Sequence, residues 1–204
     1  EDTLSPHIVN FVGEELSKEE KIRINMVNDP LLMDGSIYTL TVNGRDLASN
    51  DSDPIIVSNI LFDTTPPSFS NIAPDSGSAL NHQRISYSIS EDLFKGEVIW
   101  IQTAGKDDPD APHKVAFSNE ELNFGDHVSI DLVNMPRLMD GAIYTILFTG
   151  SDRAGNIADT ISVSDVLYDF TTPKIFVNYP TSNLITNSTE VSYSLSEQLF
   201  KGSF

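Results

Sequence analysis

The chain contains no cysteine, which excludes disulfides, thiolate metal sites and cysteine nucleophiles together. Its fold must rest on packing, on hydrogen bonds, or on a hard cation held by oxygen ligands. Positive charge is scarce: 12 Lys and Arg stand against 30 Asp and Glu, for a net charge of −18. Phosphate backbones and anionic lipid surfaces are bound through clustered Lys and Arg, so neither nucleic acid nor a membrane surface is an expected partner. No apolar run approaches the ~20 residues that span a bilayer, and membrane insertion is not expected. The chain opens Glu1-Asp2-Thr3 without a methionine or an apolar leader; it reads as a processed product or an excised segment. Apolar residues make up 39% of the chain, or about 44% with its 11 glycines, close to ordinary globular usage, so a core can form.

What the sequence does have is self-similarity. Leu32-Met33-Asp34-Gly35 and Ile37-Tyr38-Thr39 return 106 positions later as Leu138-Met139-Asp140-Gly141 and Ile143-Tyr144-Thr145. Over residues 31–50 against 137–156, 11 of 20 positions are identical, and over 85–96 against 191–202, 9 of 12. A repeat of this length fixes the domain count more firmly than chain length does. Asp63-Thr64-Thr65-Pro66-Pro67 and Asp169-Phe170-Thr171-Thr172-Pro173 are the natural joints, because proline fixes its own φ and pushes the preceding residue to extended conformations. The expected organisation is the C-terminal part of one repeat over residues 1–62, a complete repeat over 63–169, and the N-terminal strands of a following repeat over 170–204.

The complete repeat alternates with period two rather than showing a helical stripe. Strands are predicted at 68–72, 84–90, 97–103, 114–117, 127–132, 142–150 and 160–168. Seven short strands in about 100 residues, separated by turn signals, are the pattern of an antiparallel β-sandwich. Residues 14–21 and their counterparts 120–127 are expected to form a loop or at most one turn. Trp100 is expected to be buried between sheets. Leu138-x-Asp140-Gly141-x-x-Tyr144 has the form of a tyrosine corner, with the hydroxyl bonded to backbone.

The order of these motifs resembles the tandem bacterial immunoglobulin-like repeats of large secreted or cell-surface proteins: the Asp-Thr-Thr-Pro-Pro joint, Ile89-Ser90-Glu91, Gly141-x-x-Tyr144-Thr145 and Asp152-x-Ala154-Gly155-Asn156. The copy Asp46-Leu47-Ala48-Ser49-Asn50 departs from the last of these by lacking its glycine. The resemblance implies an all-β chain of Ig-like sandwiches, exported, in an extracellular fibre, stalk or adhesin whose partners are neighbouring repeats of the same protein. The rival readings are a ligand- or carbohydrate-binding adhesin module and an accessory domain of a secreted hydrolase.

If the strands run in immunoglobulin order, Asp63, Glu91 and the turn from Asp152 to Asn156 meet at one pole. There the preceding repeat also presents Asp34. Two carboxylates about 4 Å apart repel by roughly 4 kcal/mol at an effective dielectric of 20, which a divalent cation reverses. Calcium at this joint is one reading; the other is that Asp152 caps its turn, Asp63 starts a loop and Glu91 is merely solvated. The next joint would use Asp140, Asp169 and Glu197. Asp107, Asp108 and Asp110 could hold a cation, but because their counterparts Glu1-Asp2-Thr3-Leu4 keep only part of the charge, a solvated hairpin tip is the expectation. His7, His82, His113 and His127 lack zinc spacing, and Phe94 and Phe200 are expected to plug a sandwich end or grip a partner. No nucleophile–base order or phosphate loop points to catalysis. Because residues 170–204 hold strands that 1–62 lack, one copy could also complete the next as a strand-complementing homopolymer.

Overall fold

A computed structural model describes residues 2–18 and 25–203. Its regular secondary structure is almost wholly β-strand, in several mainly antiparallel sheets. In chain order the strands are β1 Ser36–Val42, β2 Ile55–Phe62, β3 Phe69–Ala73, β4 Ala79–Leu80, β5 Ile85–Ile89 and β6 Lys95–Gly105. They continue with β7 His113–Ala116, β8 Gly125–Ile130, β9 Ala142–Ser151, β10 Ile161–Tyr168, β11 Ile175–Tyr179 and β12 Ser192–Leu195.

Two sheets share the core: a five-stranded one in the order β4-β10-β9-β6-β7 and a three-stranded one in the order β3-β5-β8. Alternation explains which side chains enter it. On β9, Ala142, Tyr144, Ile146 and Phe148 are buried, and on β5 so are Ile85, Tyr87 and Ile89. Across the gap, Tyr87 stacks on Phe117 at 4.8 Å between ring centroids, and Phe69 packs at 6.3 Å from Phe148. Trp100, on β6, is buried as its sequence position suggested, edge-on to Tyr144. All the hydrophobic residues of this core lie between Phe69 and Val166. On either side of it, β1–β2 and β11–β12 form two-stranded antiparallel pairs.

Each of the seven strands read from the sequence has a counterpart, with three differences. The two-residue β4 pairs parallel to β10 through Leu167 and Tyr168, too short for alternation to register. β6 runs beyond its predicted ends at both termini. β8 begins at Gly125, which pairs with Ile89, two residues before its predicted start. The segments around 14–21 and 120–127 do hold single turns, of 3₁₀ type, at Gly13–Leu16 and Asn119–Leu122; residues 19–21 lie outside the described set. Each turn has its acidic third residue reaching back, Glu121 Oε2 accepting from Ser118 N–H at 2.7 Å and Glu15 Oε2 from Val12 N–H at 2.8 Å. Among the described residues no helix is long and apolar enough to cross a membrane.

Candidate metal centre

Three carboxylates meet where three strands end. Asp63 follows β2, Glu91 follows β5 and Asp152 follows β9. One oxygen from each lies within 4.8 Å of the other two. Backbone ties hold the three loops together: Ser90 N–H donates to Ser68 O at 3.1 Å, and Phe94 N–H to Ser151 O at 2.9 Å.

Asp152 is buried and its orientation is fixed. Its Oδ1 accepts from the N–H groups of Gly155 (2.7 Å) and Asn156 (2.9 Å), and its Oδ2 from Asn156 Nδ2 (2.8 Å). Burial works to raise its pKa, but the Asn156 side chain and these amides outweigh it, so the carboxyl sits below its usual range. Glu91 moves the other way. Partial burial, then the charges of Asp63, Asp152, Asp34 and Asp92, push its pKa above the ordinary value. Among the described residues none of the three carboxylates belongs to an ion pair.

Asn156 and Asp34, also expected as ligands, stand beside the triad. Asn156 spends its amide nitrogen on Asp152 and on the carbonyl of Asp63 (3.1 Å), which makes it a positioning residue. Asp34 grips the joint instead: Oδ1 accepts from Thr64 N–H (2.5 Å) and Thr64 Oγ1 (2.8 Å), and Oδ2 from Thr65 Oγ1 (2.6 Å). Those bonds, led by the one from Thr65, hold its carboxyl below the usual range. At the next joint Asp140 repeats the grip, accepting from Phe170 N–H (2.9 Å) and Thr171 Oγ1 (2.6 Å). Asp140, Asp169 and Glu197 form no comparable group among the described residues.

The oxygens suit one hard cation. Two ligands each 2.3–2.6 Å from a shared Ca²⁺ can be at most about 5 Å apart, a limit the triad meets. Three anionic oxygens with no nitrogen or sulfur donor favour calcium- or magnesium-like ions over zinc.

Of the three aspartates expected at a solvated tip, Asp107 and Asp110 are exposed and one is not. Asp108 is buried, not at a solvated tip: it accepts from Tyr144 Oη at 2.5 Å and lies 2.7 Å from His113 Nε2. Tyr144 Oη in turn accepts from Met139 N–H at 2.8 Å, the backbone bond of the tyrosine corner. Burial and the adjacent carboxylate both push the Tyr144 pKa up. The arrangement recurs 106 positions earlier, where Tyr38 Oη reaches Asp2 at 2.6 Å, His7 lies 2.6 Å from the same carboxylate, and Met33 N–H donates at 2.7 Å. The signal that could have found it was the joint recurrence of an Asp and a His five residues apart. Leu93 enters the core, while Phe94 and Phe200 are exposed rather than plugging a sandwich end.

A surface hollow between Asn43, Arg45, Asp51 and Pro54 lies on the N-terminal hairpin. Its charged groups pair with one another at 2.6 and 3.1 Å. No protein-family model matches the chain, and neither does any curated protein.

Proposed function

We propose that this chain is a structural segment of a long extracellular bacterial fibre, stalk or adhesin, made of tandem Ig-like sandwiches with calcium stiffening their joints. The observation carrying this reading is the joint itself. Asp34, before the Pro66-Pro67 linker, grips Thr64 and Thr65, while Asp63, Glu91 and Asp152 converge at the same place. A linker held by side chains from the preceding segment transmits orientation, and a cation bridging Asp63 to the two loops would lock it further. Two sheets around one core and positions that match at an interval of 106 residues support the sandwich and the repeat. The surplus of negative charge would keep neighbouring fibres soluble and apart.

In this reading Asp63, Glu91 and Asp152 hold the ion, and Asn156 and Asp34 orient what surrounds it. When bound, calcium would supply charge compensation and a cross-link, with no reaction. The test is calorimetric titration of the full chain with CaCl₂, paired with melting curves. Open extracellular sites bind at roughly 10⁻⁴–10⁻³ M, and tenfold excess over Kd adds about 1.4 kcal/mol. A saturable heat and a rise in Tm that Glu91→Gln removes would support the proposal. No heat and an unchanged Tm at millimolar calcium would refute the metal.

A second reading, an adhesin that grips a ligand by its loops, is favoured by the exposure of Phe94 and Phe124. Both are tied to the loops of the same pole, Phe94 to Ser151 and Phe124 to Asp92. The burial of Trp100 argues against its use as a sugar platform. Binding to a glycan array that is lost in Phe94→Ala would select this reading over the first.

A further inference from the structure

The two joints lie at opposite poles of the core. Phe69, which opens β3, pairs with Ile89 at the end of β5, beside Glu91 of the carboxylate triad. Tyr168, which closes β10, pairs with Ala142 at the start of β9, and β9 meets the triad only at its other end, before Asp152. The chain therefore enters residues 63–169 at one pole and leaves at the other. Side chains grip both points: Asp34 holds Thr64 and Thr65, and Asp140 holds Phe170 and Thr171. A pull along a row of such units draws the entering strands toward the triad and draws β10 away from it.

We propose that the parallel contact of β4 with β10 is a mechanical clamp that makes this unit resist extension along its long axis. Its use rests on the fibre reading above, but not on the calcium of that reading. On the entry side β3 has one neighbour, β5, so its release passes the load to β4; β10 is held on both edges, by β9 and β4. Because β4 and β10 run parallel and are drawn toward opposite poles, the pull slides one along the other. Four hydrogen bonds cross the contact. Gly77 N–H donates to Ser164 O (3.0 Å), Ser164 N–H to Ser76 Oγ (3.1 Å), Leu167 N–H to Ser78 O (2.9 Å) and Asp169 N–H to Leu80 O (2.8 Å). All four lie across the pull and are loaded together, whereas an antiparallel ladder parted from one end yields pair by pair, about two bonds at a time. Packing adds little to β4, since Ala79 is exposed and Leu80 only partly covered. Its bonds to β10 are what it contributes.

The experiment is single-molecule force extension of the full chain in EDTA, held by two introduced cysteines that are unique because the chain has none of its own. Pro66→Cys with Thr172→Cys pulls along the axis. Arg137→Cys with Thr172→Cys pulls at one pole and parts β9 from β10 in sequence. At one loading rate the axial geometry is expected to yield at about twice the lateral force, as four bonds stand to two. The axial length gain should approach the ~38 nm that the intervening residues span when extended, less their folded length. Force reads the barrier to unfolding rather than equilibrium stability, so the direction dependence separates a clamp from a merely stabilising contact.

Leu167→Pro removes the N–H that reaches Ser78, and Leu167 is not among the core side chains. It is expected to bring the axial force down to the lateral value and to leave the lateral force unchanged, which also shows that the sheet has formed. Ser76→Ala takes away one bond in four without touching the backbone and should lower the axial force by about a quarter. Equal forces in the two directions, or an axial force that neither variant lowers, overturns the proposal. Equal forces with the full axial length gain would remove the clamp while leaving residues 63–169 a folded unit, and the calcium titration would still decide the metal at the joint.

Discussion

At the scale of the residue, two carboxylates of one triad respond to pH in opposite senses. Asp152 has a folded pKa below its usual range; its contribution is present above the ordinary carboxylate pKa and is lost as pH falls through the folded value. Three hydrogen bonds end on it, so Asp152→Ala should cost about 2 kcal/mol at pH 7, read by urea unfolding. Glu91 has a raised pKa, so the fold loses stability as pH rises from its ordinary value through the raised one. Without metal, Glu91→Gln should therefore stabilise at pH 7, by only about half a kcal/mol because the charges remain partly hydrated. Tyr144→Phe strips a buried carboxylate of a donor at 2.5 Å and should cost about 2–3 kcal/mol. Convergence of Asp63, Glu91 and Asp152 was legible because strand order alone decides which loops share a pole. The Asp108 cluster was not, since Asp-Asp-Pro-Asp looks hydrated until β6 and β9 close over it.

At the scale of the element, irregularities recur as faithfully as strands do. The register of β1 with β2 slips between Val57 and Ile60, and that of β10 with β9 between Val163 and Val166. Each slip contains a left-handed residue, Asn59 at φ 61° and Asp165 at φ 57°. Asn and Asp tolerate this region through local hydrogen bonding, whereas a β-branched residue is strained there. Asp165→Val should therefore lower stability by roughly 1–2 kcal/mol, visible as a Tm drop of several degrees. The turn after β1 makes the converse point. Gly155 is at φ 101° and its counterpart Ser49 is at φ 69°, so the missing glycine leaves the turn intact and places a serine in a conformation that favours glycine. Period-two alternation located the long strands because one face of each is buried. It could not show a two-residue strand such as β4, nor a bulge, since neither changes which side chains are apolar.

At the scale of the whole molecule, one well-buried core lies between Phe69 and Val166, and both flanks are paired strands with apolar faces toward solvent. The fibre reading and the cation at the joint both require that residues 63–169 fold as a unit around that core and that the flanks are parts of like units. Amide hydrogen exchange on the full chain at low micromolar concentration measures this directly, because protection reports the free energy of local opening. The expected result is a single cooperative block of slow amides over β3, β5, β6, β8, β9 and β10, with β1–β2 and β11–β12 exchanging orders of magnitude faster. Protection spread evenly across all twelve strands, or a slow block crossing the Pro66-Pro67 joint, would contradict it.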